Sequence, residues 1–379
     1  MRGSGSSLLA TAVVVAIIIG IVVGYYAGKA SSRTVTTTSL VRSVVTTTTT
    51  LTVTKVSKAT MTSPVTLVKT RTVTSTSVAK EIVLIDALGR KIVLQKPASR
   101  VVSLAPSITE DICALGLCNS VVGVDSFSKS VKGLPSNVVD VGGYWQPSVE
   151  KILSAKPDLV LACSGVPAQE AMAKQLESIG IKVFFLRCDK ARNLDDVYWD
   201  LEAIATLLGH PGKAQKLVEM LKARVEELEK RLSNTTKPGV ALVVYLQKNG
   251  VWVAGGGTFQ DNLISLAGGR NVFHEAYGWR MVGFEDLLAK NPDYVIVTGS
   301  SRASVNKTLA FFETSPLKSL KAFRERHVCV VYGSATDRID RPSVGVIDAA
   351  YILASILHPD KVKPPAPYAS EIACIGGKG

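Results

Sequence analysis

Apolar positions along the chain fall into three regimes. Residues 8–27 form an uninterrupted apolar run of 20 residues. Such a run is long enough to cross a bilayer as a helix and longer than a usual signal-peptide core. Residues 31–80 then lose the apolar pattern: Ser and Thr fill 26 of 50 positions, with no acidic residue, no Gly and one Pro, Pro64. A segment of that composition buries too little apolar surface to fold alone. Only residues 50–62 alternate β-branched and polar side chains in a way that would suit a strand. From residue 81 onward, short apolar runs alternate with amphipathic stretches, and this is the folding part of the chain.

The first element expected there is a hairpin over residues 81–95, turning at Ala87-Leu88-Gly89. Strands are expected over 100–105, 121–125, 159–163 and 182–187, and helices over 107–116, 149–155 and 168–179. Near-continuous apolar strands separated by helices predict a parallel sheet covered on both faces. A long helix over 212–232 follows, with Ala214, Val218, Leu221, Val225, Leu228 and Leu232 on one stripe. Its position suits a strut joining two lobes. The βα pattern then restarts, with strands over 240–246, 251–254, 294–298 and 328–332 and helices from 259 and over 346–357. The fold class is therefore α/β: two βα-sandwich lobes joined by one long helix, behind a transmembrane helix and a disordered Ser/Thr-rich stalk. The boundaries are 1–30 for the anchor or signal segment, 31–80 for the stalk, 81–210 for the N-terminal lobe, 211–233 for the interlobe helix and 234–379 for the C-terminal lobe.

Two internal matches support two lobes. Trp145, Glu150 and Pro157-Asp158 recur as Trp279, Glu285 and Pro292-Asp293, with the Glu-to-Pro spacing identical. The stretch from Pro106 to Gly116 is paralleled from Gly257 onward. A lone Glu in a first helical turn would be read as complementing the helix dipole. The recurrence in both lobes points instead to a paired docking contact through Glu150 and Glu285.

The net charge of +13 changes little on inspection. Nine of the 44 Lys and Arg lie in residues 1–80, where there is no Asp or Glu, leaving 35 basic against 31 acidic groups in the remainder. No basic face for nucleic acid is visible. Six cysteines allow 15 pairings. Cys163 and Cys188 each end an expected strand and could bridge if those strands are neighbours. The sequons at Asn234 and Asn306 would suit an exterior location.

No catalytic constellation is present: there is no GxSxG and no HExxH motif. The four histidines are scattered without ligand spacing, so a direct metal site is not expected. Ala254-Gly-Gly-Gly-Thr258 reads better as a tight strand-to-helix turn than as an anion cradle. Aromatic and cationic residues gather near strand ends: Tyr144, Trp145, Arg187, Tyr245, Trp252, Phe259, Trp279, Arg280, Arg338 and Arg341. Of these, Tyr144, Trp145, Arg187, Tyr245, Phe259, Trp279 and Arg341 are the candidate ligand contacts. A cleft so lined suits a large, flat or partly anionic ligand.

The stretches RVVSLAPSITE from Arg100, VVGVD from Val121, GGYWQPSVEKILSAKPDLVLA from Gly142, GIKV from Gly180 and LAGGRNVF from Leu266 resemble the solute-binding proteins of ABC importers. The resemblance is to those for iron–siderophore complexes, haem and cobalamin, and covers roughly residues 81–370. It implies two α/β lobes joined by a single long helix with little hinge closure, and a non-enzymatic role. It further implies that Glu150 and Glu285 salt-bridge to arginines of an ABC permease with its ATPase subunits, and that Trp145 occupies a ligand-contact position. The expected guest is a metal chelate arriving preformed, a corrinoid before a ferric siderophore or haem, with no intrinsic cofactor. The departure lies at the front, where residues 8–27 and a stalk stand without a lipidated Cys. That suggests a membrane-anchored receptor on the extracellular side. The alternative from another class is a stalked surface glycan-binding or adhesion protein on the same scaffold.

Overall fold

The computed structural model describes residues 81–375. The expected anchor over 8–27, the stalk over 31–80 and residues 376–379 of the C-terminal lobe lie outside the described residues. Among the described residues, no helix is long and apolar enough to cross a membrane.

The expected hairpin forms, with Ile82–Ile85 antiparallel to Lys91–Leu94. Gly89 takes the left-handed φ of 77° that the turn requires. The first lobe's sheet runs in the order Val139–Asp140, Val121–Val124, Val101–Ser103, Leu159–Cys163, Lys182–Leu186. Every pairing in it is parallel. Both faces are covered, which is why Leu159–Cys163 is apolar throughout. Leu159, Leu161 and Cys163 join one buried cluster while Val160 and Ala162 join another, as the two-residue period of a strand demands.

The second lobe departs from the expected repeat. Its sheet runs Trp279–Val282, Gly250–Ala254, Gly239–Gln247, Tyr294–Gly299, Val328–Tyr332, Ile372–Ile375, with Arg270–Asn271 also paired to Gly239–Gln247. Gly239–Gln247, Tyr294–Gly299 and Val328–Tyr332 are mutually parallel. Arg270–Asn271 also pairs parallel, while Gly250–Ala254, Trp279–Val282 and Ile372–Ile375 pair antiparallel. Trp279–Val282 escaped the sequence reading because three of its four side chains are exposed, as befits an edge strand without an apolar run.

The interlobe helix spans Pro211–Leu232, 22 residues, with Pro pre-set for its first turn. Of the predicted stripe, Ala214, Val218, Leu221, Leu228 and Leu232 are buried and Val225 is half-buried. It packs on the first lobe through Leu194–Leu207 and on the second through Val346–Leu357. Arg224 pairs with Asp348 at 2.7 Å beside it. One buried cluster consequently runs from Val101 and Leu159 through the helix to Ile296 and Ile347.

A second tie between the lobes is polar. Glu110 is buried in the first lobe, and its Oε1 accepts from Arg338 and Arg341 at 2.8 Å each. Its Oε2 accepts from Ser343 Oγ at 2.8 Å. Next to it, Asp111 Oδ1 accepts the Val344 N–H at 2.7 Å.

All six cysteines are paired: Cys113–Cys118, Cys163–Cys188 and Cys329–Cys374. Cys163 ends one strand and Cys188 lies two residues past the end of its neighbour, close to what the sequence suggested. Cys329 and Cys374 face each other across an antiparallel pair whose second strand was not foreseen. Three bridges in one domain fit an oxidising compartment.

Candidate functional site

The lobes enclose a cleft of about 570 Å³. The first lobe lines it with Gly165 and Cys188 to Arg192, which follow the carboxyl ends of Leu159–Cys163 and Lys182–Leu186. Ligands of open α/β sheets sit at such strand ends. The second lobe supplies Gly257 to Gln260, Tyr277 to Trp279, Asp340 and Pro342.

The glycine run at 255–257 explains how the second lobe presents its aromatics. A Cβ on Gly255 would lie 1.6 Å from the Ala276 carbonyl oxygen. Only glycine lets the 274–278 segment lie flat on the turn. The Gly255 N–H donates to Gly278 and the Gly278 N–H returns to Gly256. Two hydrogen bonds thus tie the turn to the neighbouring loop. Gly257 makes room for the Tyr277 ring, 2.5 Å from where its Cβ would stand. The Tyr277 and Trp279 rings are left at the cleft, 68% and 41% exposed. Thr258 then caps the next helix, accepting from the Asp261 N–H.

Of the seven ligand contacts read from the sequence, the cleft gathers Phe259 and Trp279. Phe259 is largely buried and backs the wall more than it faces a guest. Tyr144 and Trp145 form the two-residue tip of a small hairpin in which Gly142–Gly143 pairs with Gln146–Pro147. The Trp145 ring meets Tyr144 edge-on at 4.7 Å and is 61% exposed. The Tyr144 hydroxyl is buried beside Asp189, without a hydrogen bond of good geometry. The hairpin therefore stands against the cleft wall at Asp189.

Tyr245 lies on the outer sheet, where it pairs across strands with Trp252, which in turn faces Met281. Arg187 is committed elsewhere: it pairs with Asp196 and stacks 4.6 Å over Trp199. Arg341 and Arg338 are held by Glu110. Sequence spacing cannot reveal such partners, since Glu110 lies 231 positions from Arg341.

The charges that do face the cleft are Asp189, Lys190, Arg192 and Asp340, two of each sign. Asp189 and Asp340 are open to solvent yet walled in by protein. For Asp189 the burial pushes the carboxyl above its ordinary range, against the opposing pull of Tyr144 and Lys190. For Asp340 burial and then the charge of Asp337 push it up to about 7, opposed by Thr298 and Arg341. Among the described residues, no three His, Cys, Asp or Glu side chains are grouped to hold a metal ion.

Glu150 and Glu285 are exposed in the first turns of Val149–Ser154 and Phe284–Lys290. Among the described residues neither has an ion-pair partner. The Pro-Asp steps that follow are structural in both lobes. Asp158 accepts the Ser99 and Arg100 N–H groups at 2.9 and 3.0 Å. Asp293 accepts the Gly239 N–H at 2.7 Å. Each fixes the entry to a central strand of its lobe's main sheet, Val101–Ser103 in the first and Gly239–Gln247 in the second.

The periplasmic binding protein family model matches residues 101–333. The chain is 30% identical over 286 residues to an uncharacterized ABC transporter substrate-binding lipoprotein, YvrC, of Bacillus subtilis. That match covers 73% of this chain and 86% of the relative. It is 31% identical over 219 residues to a vitamin B12-binding protein of Yersinia pestis, covering 57% and 74%. Among solved structures, the periplasmic heme-binding protein RhuT of Roseiflexus, in its apo form, superposes with a TM-score of 0.56 at 26% identity, covering 68% of this chain and 99% of that one. With two α/β lobes, one connecting helix and an interlobe cleft already in place, the match settles the family: the chain belongs to the periplasmic binding proteins.

Proposed function

We propose that the protein is the extracytoplasmic receptor of an ABC importer, taking a preformed metal chelate into the interlobe cleft, with a corrinoid as the favoured guest. The observation that carries this reading is the cleft of about 570 Å³ walled from both lobes and faced by the exposed rings of Tyr277 and Trp279. Apolar rings with a few convergent polar groups suit a large ring-shaped guest. The vitamin B12-binding relative favours a corrinoid, and the heme-binding neighbour makes haem the next choice. The buried cluster that runs through the interlobe helix opposes wide hinge closure, so the guest meets a nearly preformed site. Glu150 and Glu285, exposed and without an ion-pair partner among the described residues, would stand on the permease. The apolar run at 8–27 would hold the receptor at the membrane.

Titration of the tryptophan fluorescence with cyanocobalamin, haemin and a ferric hydroxamate tests the reading. The expected result is saturable quenching by cyanocobalamin at micromolar or lower concentration. Quenching by haemin or the hydroxamate alone would replace the guest. Silence from all three would remove the chelate reading.

A further inference from the structure

The sequence pointed to arginines as the cleft's polar groups, and the structure takes them away. Arg187 is held by Asp196, and Arg338 and Arg341 by Glu110. What remains facing the cleft is Asp189, Lys190 and Arg192 on the first lobe and Asp340 on the second. We propose that Asp189 and Asp340 are specificity-determining residues that select a ligand fringed with neutral amides over one fringed with carboxylates.

The argument is one of matching donors and acceptors. A primary amide donates two hydrogens and accepts through its oxygen, so one kind of group satisfies carboxylates and cations alike. A carboxylate can satisfy Lys190 and Arg192 but leaves Asp189 and Asp340 facing a like charge. Those two groups line the cleft from opposite lobes, so a guest fringed with carboxylates on all sides presents like charge to both walls. They are reached by solvent but surrounded by protein. In such a recess a like-charge contact is screened less than at an open surface. An apolar ring face would lie on Tyr277 and Trp279, and its amide edge would meet the charges of both signs. A corrin ring carries primary amides at its periphery, so the inference rests on the corrinoid reading and sharpens it. The discrimination works largely by rejecting the wrong guest.

The test compares cyanocobalamin with a dicyano-corrinoid whose peripheral amides have been hydrolysed to carboxylates, both titrated at pH 8. The wild-type protein should bind the polycarboxylate at least tenfold more weakly. The Asp189→Asn/Asp340→Asn double variant should narrow that gap to about threefold or less, since each Asn keeps the size and removes the charge. Equal affinities in the wild-type protein would overturn the proposal with no variant needed. An undiminished gap in a double variant that still binds cyanocobalamin would overturn it as well. Failure of both corrinoids to bind is a separate result, and removes the corrinoid reading on which the proposal stands.

Discussion

The two lobes begin alike and end differently. Both start a central strand of their main sheet with an aspartate from a Pro-Asp step, Asp158 on Arg100 and Asp293 on Gly239. Both place an exposed glutamate seven residues before that proline. The other internal match diverges in use. In the second lobe Asp261 turns inward, accepting from Asn271 at 2.9 Å and pairing with His274. At the corresponding place in the first lobe, Glu110 and Asp111 reach across to Arg338, Arg341, Ser343 and Val344. The repeat preserved what starts a strand, and the same helix positions were free to become an internal brace in one lobe and a tie between lobes in the other.

The largest expected effect follows from that divergence. Glu110→Ala leaves the half-buried Arg338 without its carboxylate, Arg341 with Asp337 alone and the buried Ser343 hydroxyl without its acceptor, a loss of about 2–3 kcal/mol for charge-assisted hydrogen bonds broken from one side. Asp261→Ala removes a bridge to an exposed His274, while the Asn271 amide keeps its bond to the Ala254 carbonyl. That change should cost about 1 kcal/mol. Urea unfolding of both variants checks the difference. Equal losses would mean that the interlobe tie is no stronger than the internal brace.

The same contrast shows what the sequence could and could not reveal. The hairpin, the parallel first sheet and the interlobe helix were legible because each rests on a local apolar period. The Pro-Asp steps were legible because they repeat. The edge strands Trp279–Val282 and Ile372–Ile375 were not, being short and incompletely buried. In the cleft, Trp279 was found through its place in the repeat. Arg187 and Arg341 were chosen for their chemistry, which says nothing of a partner that folding brings to them. Tyr277, Asp189 and Asp340 were missed because a surface tyrosine or aspartate carries no mark until the fold places it in a recess.

A smaller effect concerns the neighbour of Glu110. Burial, helped by the charges of Asp200 and Glu110, raises the Asp111 carboxyl well above its ordinary range, against the pull of the Val344 N–H. The unfolded chain releases this proton near pH 4, while the folded one holds it. The unfolded state therefore binds fewer protons above pH 4, and stability falls as pH rises toward the folded-state value. Asp200 contributes in the same direction, pushed up to about 7 chiefly by burial. In the second lobe the position matching Asp111 is Asn262, which does not titrate. Asp111→Asn, whose amide oxygen can still accept from Val344, should match the wild type near pH 4 and exceed it in stability at pH 8. Urea midpoints across that range decide it. Parallel pH profiles for the two proteins would mean that Asp111 is ionised in the fold.

The smallest effect on stability should come from the two glutamates that repeat most faithfully. Their only visible structural return is the favourable placement of a negative charge in a helix's first turn, at most about 0.3–1 kcal/mol for an exposed group. Each helix start is secured without them: Ser148 caps one through the Lys151 N–H, and Asp286 reaches back to the Gly283 N–H in the other. Glu150→Ala and Glu285→Ala should therefore each shift stability by less than about 0.5 kcal/mol and leave ligand affinity unchanged. Uptake by cells carrying the cognate permease should nevertheless fall with either variant, and fall further with both. Wild-type uptake by the double variant would reduce the repeated glutamates to helix-dipole partners. Loss with only one of them would mean that the lobes share a sequence pattern without sharing the work of docking.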